Sequence, residues 1–90
     1  MYHLYILTCS DGTLYTGIAT DLARRVEEHN TSDLGAKYTR TRRPVRLSWS
    51  EEFADRAEAS RAEYKVKQLS RHGKLELLKA GKKAASAKKL

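Results

Sequence analysis

The sequence predicts a small α+β domain in which a three-stranded antiparallel β-sheet is flanked by helices. The 90-residue length suits one hydrophobic core. Apolar residues alternate with a period of two near the N-terminus and again after residue 44, which indicates strands. Other segments carry apolar residues three or four positions apart, which indicates helices. The expected element order is therefore β-β-α-β-α-α.

The first two strands are predicted to form a hairpin. Residues 2–9 are apolar on both alternating faces, which is typical of a strand covered on both sides. Asp11-Gly12 tolerates the positive φ of a tight turn. The second strand, Leu14 to Ile18, is therefore expected to pair antiparallel with the first. The two apolar faces are Tyr2, Leu4 and Ile6 on one side and Tyr5, Leu7 and Cys9 on the other.

The middle of the chain predicts a helix, a loop and a third strand. Asp21 is the expected N-cap of the helix, which should end near Asn30. Residues 31–43 show no periodicity and predict a loop, which Pro44 closes. The strand that follows is expected to bury one face, formed by the alternating apolar residues Val45, Leu47 and Trp49.

The C-terminal third is predicted to be helical. Asp55 and Glu58, three positions apart, form a capping box, and this helix is expected to run to about Ser70. Residues 74–79 predict a last short helix. The domain is therefore assigned to residues 1–79. Residues 80–90, which are dominated by Ala and Lys, are expected to form a basic flexible tail.

The positive charge is concentrated in two segments. Residues 37–46 hold five cations and no acid, and residues 82–90 hold four lysines and no acid. Because the whole chain carries +7, the remaining residues carry a net −2. This placement favours a docking surface for a polyanion, and the alternative is a solvated loop with a solubilising tail. The candidate nucleic-acid contacts are Lys37, Tyr38, Arg40, Arg42, Arg43, Arg46 and Lys67.

Other classes of protein are disfavoured by what the sequence lacks. Cys9 is the single cysteine, so no internal disulfide can form, and no Cys or His spacing predicts a zinc site. No apolar run approaches the roughly 20 residues that cross a bilayer. We expect no membrane association and a cytoplasmic location.

An ordered set of residues resembles a known family. Tyr5 lies on the first strand, and Tyr15-Thr16-Gly17 follows ten positions later on the second. The complete set is Tyr5, Tyr15, Gly17, Asp21, Leu22, Arg25, His29 and Glu63. In order and spacing it resembles the GIY-YIG endonuclease superfamily, and among its members the small stand-alone bacterial, YhbQ-like group. The resemblance covers roughly residues 2–78. The sequence departs from the family pattern at His3-Leu4, at Thr16 and at Ile18, where excision-repair members have a lysine.

The resemblance implies a divalent-metal-dependent endonuclease that hydrolyses phosphodiester bonds in DNA. Because the sequence predicts no recognition helix, branched or single-stranded DNA is a candidate substrate. It implies that Glu63 holds one Mg²⁺ or Mn²⁺ and that Tyr5 is the base. A free phenol has a pKa near 10, so we expect the charge of Arg25 to lower the pKa of Tyr5. Gly17 is the expected point of close backbone approach. The implied catalytic residues are Tyr5, Tyr15, Arg25, His29 and Glu63.

Two other functions stay open from the sequence. The same fold can serve as a non-catalytic nucleic-acid-binding module that acts with a protein partner. The lysine tail also fits a basic accessory protein of the translation machinery. DNA is favoured over RNA as the ligand, and the sequence leaves the oligomeric state open.

Overall fold

The computed structural model describes residues 1–32 and 34–79, and the predicted tail of residues 80–90 lies outside them. The helix α4 comprises residues 71–79, the last of the described chain. The elements that precede it are β1 (Tyr2–Thr8), β2 (Leu14–Ala19), α1 (Leu22–Thr31), α2 (Lys37–Arg40), β3 (Arg46–Phe53) and α3 (Arg56–Gln68). The α+β class and the predicted element order are confirmed, with α2 as an addition. No helix in the described ranges is long and apolar enough to cross a membrane.

The three strands form one antiparallel sheet in the order β2-β1-β3. Because β1 is central and covered on both faces, its alternate residues enter two different cores. On one face, Leu4 and Ile6 pack with Trp49 and with Val66 of α3. On the other face, Tyr5, Leu7, Cys9 and Val45 pack together beneath Leu22 and Val26 of α1.

The third strand does not bury a single face, so that prediction is wrong. Ile6 pairs with Trp49, but Leu7 pairs with Leu47, which leaves Ser48 as an extra residue on β3. Such a bulge reverses the alternation of side chains along a strand. Val45 therefore packs on the face of Tyr5, Trp49 packs on the opposite face, and Leu47 stays 42% exposed.

Local signals located the starts of α1 and α3. Asp21 accepts a hydrogen bond from the backbone N–H of Arg24 at 3.1 Å, and Asp55 accepts one from Glu58 at 2.8 Å. Both N-caps are as predicted. Gly12 adopts φ +83°, the positive value expected for the turn between β1 and β2. The final helix begins at residue 71 rather than at Lys74.

The segment predicted as a loop contains the one-turn helix α2, which is too short to leave a periodic pattern in the sequence. Two side chains anchor this segment to the end of α1. Asn30 bonds both backbone groups of Val45, donating to its O at 2.9 Å and accepting from its N at 2.6 Å. Arg43 donates to the backbone O of His29 and of Ser32, each at 2.6 Å.

Candidate active site

Tyr5 occupies the middle of the central strand and is 1% exposed. Its register partner on β2 is Gly17. A Cβ atom at position 17 would lie 2.5 Å from the Tyr5 hydroxyl oxygen and 2.7 Å from Cζ. The Tyr5 ring therefore lies directly over the backbone of β2, and only glycine leaves it room.

Three rings from three elements meet at this point. The ring centroid of His29 on α1 lies 5.9 Å from that of Tyr5 and 5.1 Å from that of Tyr15 on β2. The two tyrosine rings are 6.4 Å apart. His29 is 0% exposed, whereas Tyr15 is partly exposed. The structure thus brings together three of the residues that the sequence pattern singled out.

Hydrogen bonds link these rings to α2. The Tyr5 hydroxyl oxygen is 3.0 Å from Nε2 of His29, and Nδ1 of His29 is 2.8 Å from the hydroxyl oxygen of Thr39. Thr39 in turn donates to the carbonyl oxygen of Ala36 at 2.9 Å. Thr39 was not predicted as a site residue, because a threonine in a basic loop without periodicity carries no sign that it will be buried.

Burial controls the ionisation of the central pair. Burial lowers the pKa of His29 to about 4, and the charge of Arg25 contributes in the same direction. His29 is therefore neutral at pH 7. Burial also raises the pKa of Tyr5, while the neighbouring Arg25 guanidinium opposes the change. The expectation that Arg25 leaves this pKa lowered is wrong, because removing the phenolate from water outweighs the attraction of the guanidinium.

Arg25 is held in place by partners that the sequence did not reveal. Its Nη1 donates to the carboxylate of Glu28 at 2.9 Å and to the backbone O of Leu34 at 2.7 Å. Glu28 also pairs with Arg24 at 3.2 Å. The helical spacing of Arg25 and Glu28 was visible, but nothing in it distinguished this pair from a solvated surface pair.

Glu63 on α3 is the candidate metal ligand. Its side chain is 25% exposed, and its Oε2 is 3.3 Å from Nζ of Lys67. Its negative charge contributes to the raised pKa of Tyr5, so it lies within electrostatic reach of the tyrosine. No group of three His, Cys, Asp or Glu side chains suited to a metal exists within residues 1–32 and 34–79. One partly exposed carboxylate fits a Mg²⁺ ion that keeps most of its waters and also binds substrate phosphate.

Tyr38 lies near two other predicted nucleic-acid contacts, Arg42 and Lys67. Tyr38 stacks on Tyr15, with centroids 6.0 Å apart, and the Arg42 guanidinium carbon lies 4.0 Å from the Tyr38 ring centroid. Lys67 lines a cleft with Tyr15 and Tyr38. Lys37 and Arg40 are exposed on α2.

The other two predicted contacts lie elsewhere. Arg46 lines a separate groove beside Leu47 and Arg71. Arg43 points inward to the end of α1, where it binds two backbone carbonyls.

The site is thus an antiparallel sheet that carries two tyrosines in contact with a buried histidine. The family model of the GIY-YIG catalytic domain matches residues 1–76. The chain belongs to the GIY-YIG family.

Among the relatives of this chain are proteins called UPF0213. Their similarity confirms that the chain belongs to the predicted small stand-alone group. This chain is 56% identical over 86 residues to UPF0213 protein DP2720 of Desulfotalea psychrophila, and the match covers 96% of this chain and 78% of that protein. This chain is also 59% identical over 71 residues to UPF0213 protein VNG_2274C of Halobacterium salinarum, and the match covers 79% of this chain and 91% of that protein.

Two solution structures share the fold. UPF0213 protein BH0048 from Bacillus halodurans matches with a TM-score of 0.58 at 48% identity, covering 89% of this chain and 85% of that one. Protein EF2693 from E. faecalis matches with a TM-score of 0.61 at 46% identity, and the match covers 88% of this chain and 83% of that one.

Proposed function

We propose that this protein is a divalent-metal-dependent endonuclease that hydrolyses phosphodiester bonds in DNA. Membership of the GIY-YIG family supports nuclease-type chemistry. The observation that carries the proposal is the 3.0 Å contact between the Tyr5 hydroxyl and a buried neutral imidazole, beside a second tyrosine. The proposed catalytic residues are Tyr5, Tyr15, Arg25, His29 and Glu63.

Hydrolysis needs a base for water and positive charge for the phosphate. Because the pKa of Tyr5 is raised, the phenolate is scarce at neutral pH. Tyr5 therefore acts by relay: its oxygen takes a proton from the attacking water while its own proton passes to Nε2 of His29. A bound phosphate favours this transfer, since a nearby negative charge stabilises imidazolium.

The other proposed residues bind the substrate or the metal. Arg25 supplies a cation beside Tyr5, and Tyr15, the more exposed ring, is placed to donate a hydrogen bond to a phosphate oxygen. Glu63 would hold Mg²⁺ or Mn²⁺, which when bound supplies positive charge to the phosphate and the leaving oxygen. Lys67 would then leave Glu63 and meet phosphate in the cleft that it lines with Tyr15.

Glu63→Gln tests this proposal. We expect cleavage to fall on the order of 100-fold or more, because an amide is a much weaker ligand for Mg²⁺ than a carboxylate, while DNA binding stays nearly intact. The measurement is cleavage of labelled DNA and RNA forms with Mg²⁺ or Mn²⁺, with binding measured in parallel. Glu58→Gln is the matched control, since it removes the same charge from an exposed position of the same helix.

The outcomes separate the parts of the proposal. If Glu63→Gln cuts as fast as the parent, the metal ligand is wrongly assigned. If the parent cuts RNA and spares DNA, the substrate class is wrong.

A non-catalytic nucleic-acid-binding module is the second candidate. It is favoured by the state of the free protein, in which Glu63 is paired with Lys67 and the pKa of Tyr5 is raised. Under this candidate the protein binds DNA in a salt-sensitive manner, cuts nothing in the same assay, and depends on a partner.

A further inference from the structure

Each ring nitrogen of His29 is hydrogen-bonded to a different buried side chain. His29 and Thr39 are both 0% exposed, and Tyr5 is 1% exposed. A row of hydrogen bonds joins the Tyr5 hydroxyl to Nε2 of His29 at 3.0 Å and Nδ1 of His29 to the Thr39 hydroxyl at 2.8 Å. The row ends where that hydroxyl meets the Ala36 carbonyl at 2.9 Å. Because a neutral imidazole carries one proton, each link depends on which nitrogen holds it.

At its Thr39 end, this row of hydrogen bonds favours one tautomer of His29. A carbonyl oxygen can only accept, so the Thr39 hydroxyl must direct its proton to Ala36. Otherwise two oxygens would face each other at 2.9 Å with no proton between them. The Thr39 oxygen is then left to accept, so Nδ1 of His29 donates to it at 2.8 Å. This bond outweighs the longer contact of 3.4 Å, in which the backbone N–H of Ala36 is directed at the same nitrogen.

The Tyr5 end selects the same tautomer independently. With the proton on Nδ1, Nε2 accepts the proton of the Tyr5 hydroxyl at 3.0 Å. With the proton on Nε2, the phenolic oxygen would instead accept from His29. The buried Tyr5 proton would then have no acceptor within residues 1–32 and 34–79, and a buried donor left without an acceptor is unfavourable.

We propose that Thr39 is a positioning residue that sets the His29 tautomer and thereby fixes the direction in which the Tyr5 proton moves. With Nδ1 protonated, Nε2 presents a lone pair to Tyr5, which the proposed relay requires. The catalytic part of this role rests on the proposed hydrolase function. The same turn of helix also places Tyr38 on the ring of Tyr15, so α2 orients both sides of the centre.

The structure also defines what removal of the hydroxyl would do. The backbone N–H of Ala36 points at Nδ1 from 3.4 Å. In Thr39→Val the acceptor at Nδ1 is lost and this N–H remains. Since an N–H can only donate, Nδ1 becomes the acceptor and the imidazole proton moves to Nε2. His29 would then donate to Tyr5 and could not take its proton.

The experiment is NMR of the full chain with ¹⁵N-labelled histidine at pH 7, where the two tautomers give distinct nitrogen shifts. We expect Nδ1–H in the parent, Nε2–H in Thr39→Val, and Nδ1–H again in Thr39→Ser, which keeps the hydroxyl. Thr39→Val should also slow cleavage on the order of 100-fold, the usual cost of losing general-base help, with KM little changed. Thr39→Ser should retain most of the rate.

Thr31→Val is the control, because it removes an exposed threonine hydroxyl from α1 that bonds only to the Glu27 carbonyl among the described residues. An Nε2–H signal in the parent, or an unchanged tautomer in Thr39→Val, would overturn the proposal. A shifted tautomer with undiminished cleavage would overturn the positioning role. A parent that never cuts counts against the hydrolase function, and the NMR result still decides the tautomer.

Discussion

At the contact between Tyr5 and His29, burial acts on a weak acid and a weak base at once. It raises the pKa of Tyr5 and lowers the pKa of His29 to about 4, so both groups are neutral at pH 7. A hydrogen bond between two neutral groups avoids the cost of burying a charge. Both groups of the centre are therefore uncharged in the free protein at pH 7.

This neutral histidine makes stability depend on pH. In the unfolded chain His29 takes up a proton below its ordinary pKa of 6.5, whereas in the folded protein it stays neutral down to about 4. The unfolded state therefore binds more protons in this window, and stability falls as the pH is lowered from 6.5 to 4. At about 1.4 kcal/mol per pH unit, the loss from this residue reaches about 3 kcal/mol.

Urea unfolding measured between pH 4 and pH 7 tests this effect. His29→Gln should flatten the dependence, because glutamine has no proton to gain. His72→Gln serves as the control, since it removes a histidine that is exposed on α4. Equal slopes for the parent and His29→Gln would show that His29 titrates normally in the folded protein.

At the scale of elements, the site depends on how closely β1 and β2 approach. The Tyr5 ring lies over Gly17 because the two residues are register partners and glycine has no side chain. The short helix α2 depends on contacts in a similar way. Four residues cannot hold a helical turn by themselves, so the Thr39–His29 bond and the Tyr38–Tyr15 stack stabilise it.

Gly17→Ala should therefore displace the Tyr5 ring. The added methyl would lie 2.5 Å from the phenolic oxygen, far inside van der Waals contact. We expect a loss of about 1–3 kcal/mol in the free energy of unfolding, typical of overpacking, together with loss of the Tyr5–His29 hydrogen bond. Urea unfolding gives the first quantity, and the NMR shift of His29 Nε2 reports the second.

Gly12→Ala is the comparison for this variant. No atom lies within 4 Å of a Cβ at position 12, but its φ of +83° disfavours any side chain. It should cost about 1–2 kcal/mol through the backbone alone and leave the His29 shifts unchanged. If both variants disturb His29 equally, the close approach at Gly17 is not what holds the ring.

At the scale of the whole molecule, the cations of the basic segment differ in their surroundings. Lys37 is exposed on α2, where it can meet phosphate. Arg43 has its guanidinium bound to the backbone carbonyls of His29 and Ser32, so it completes the end of α1. Net charge alone cannot distinguish a docking cation from a structural one, because only contacts reveal the difference.

The salt dependence of DNA binding should separate the two cations. Lys37→Gln should reduce the slope of log K against log salt by about 0.9 on duplex DNA, as expected for one lost phosphate contact. Arg43→Gln should leave the slope unchanged and lower the free energy of unfolding by about 1–3 kcal/mol, because two carbonyls lose a charged donor. A slope reduced equally by both variants would mean that Arg43 leaves α1 to bind DNA.

The sequence by itself determined the features that depend on neighbours along the chain. The caps at Asp21 and Asp55, the turn at Gly12 and the two apolar faces of β1 follow from local hydrogen bonds and periodicity. The ordered pattern from Tyr5 to Glu63 was sufficient to predict the family, which the match of the family model over residues 1–76 confirms.

The tertiary structure alone decided the features that depend on residues far apart. The bulge at Ser48 arises from pairing with β1, and the Thr39 hydroxyl meets His29 across ten positions. The pKa of Tyr5 is raised because burial, which no sequence pattern reports directly, outweighs the charge of Arg25. Chain-distant contacts and the exclusion of water exist only once the sheet and helices have assembled, and they set the direction of proton movement at this centre.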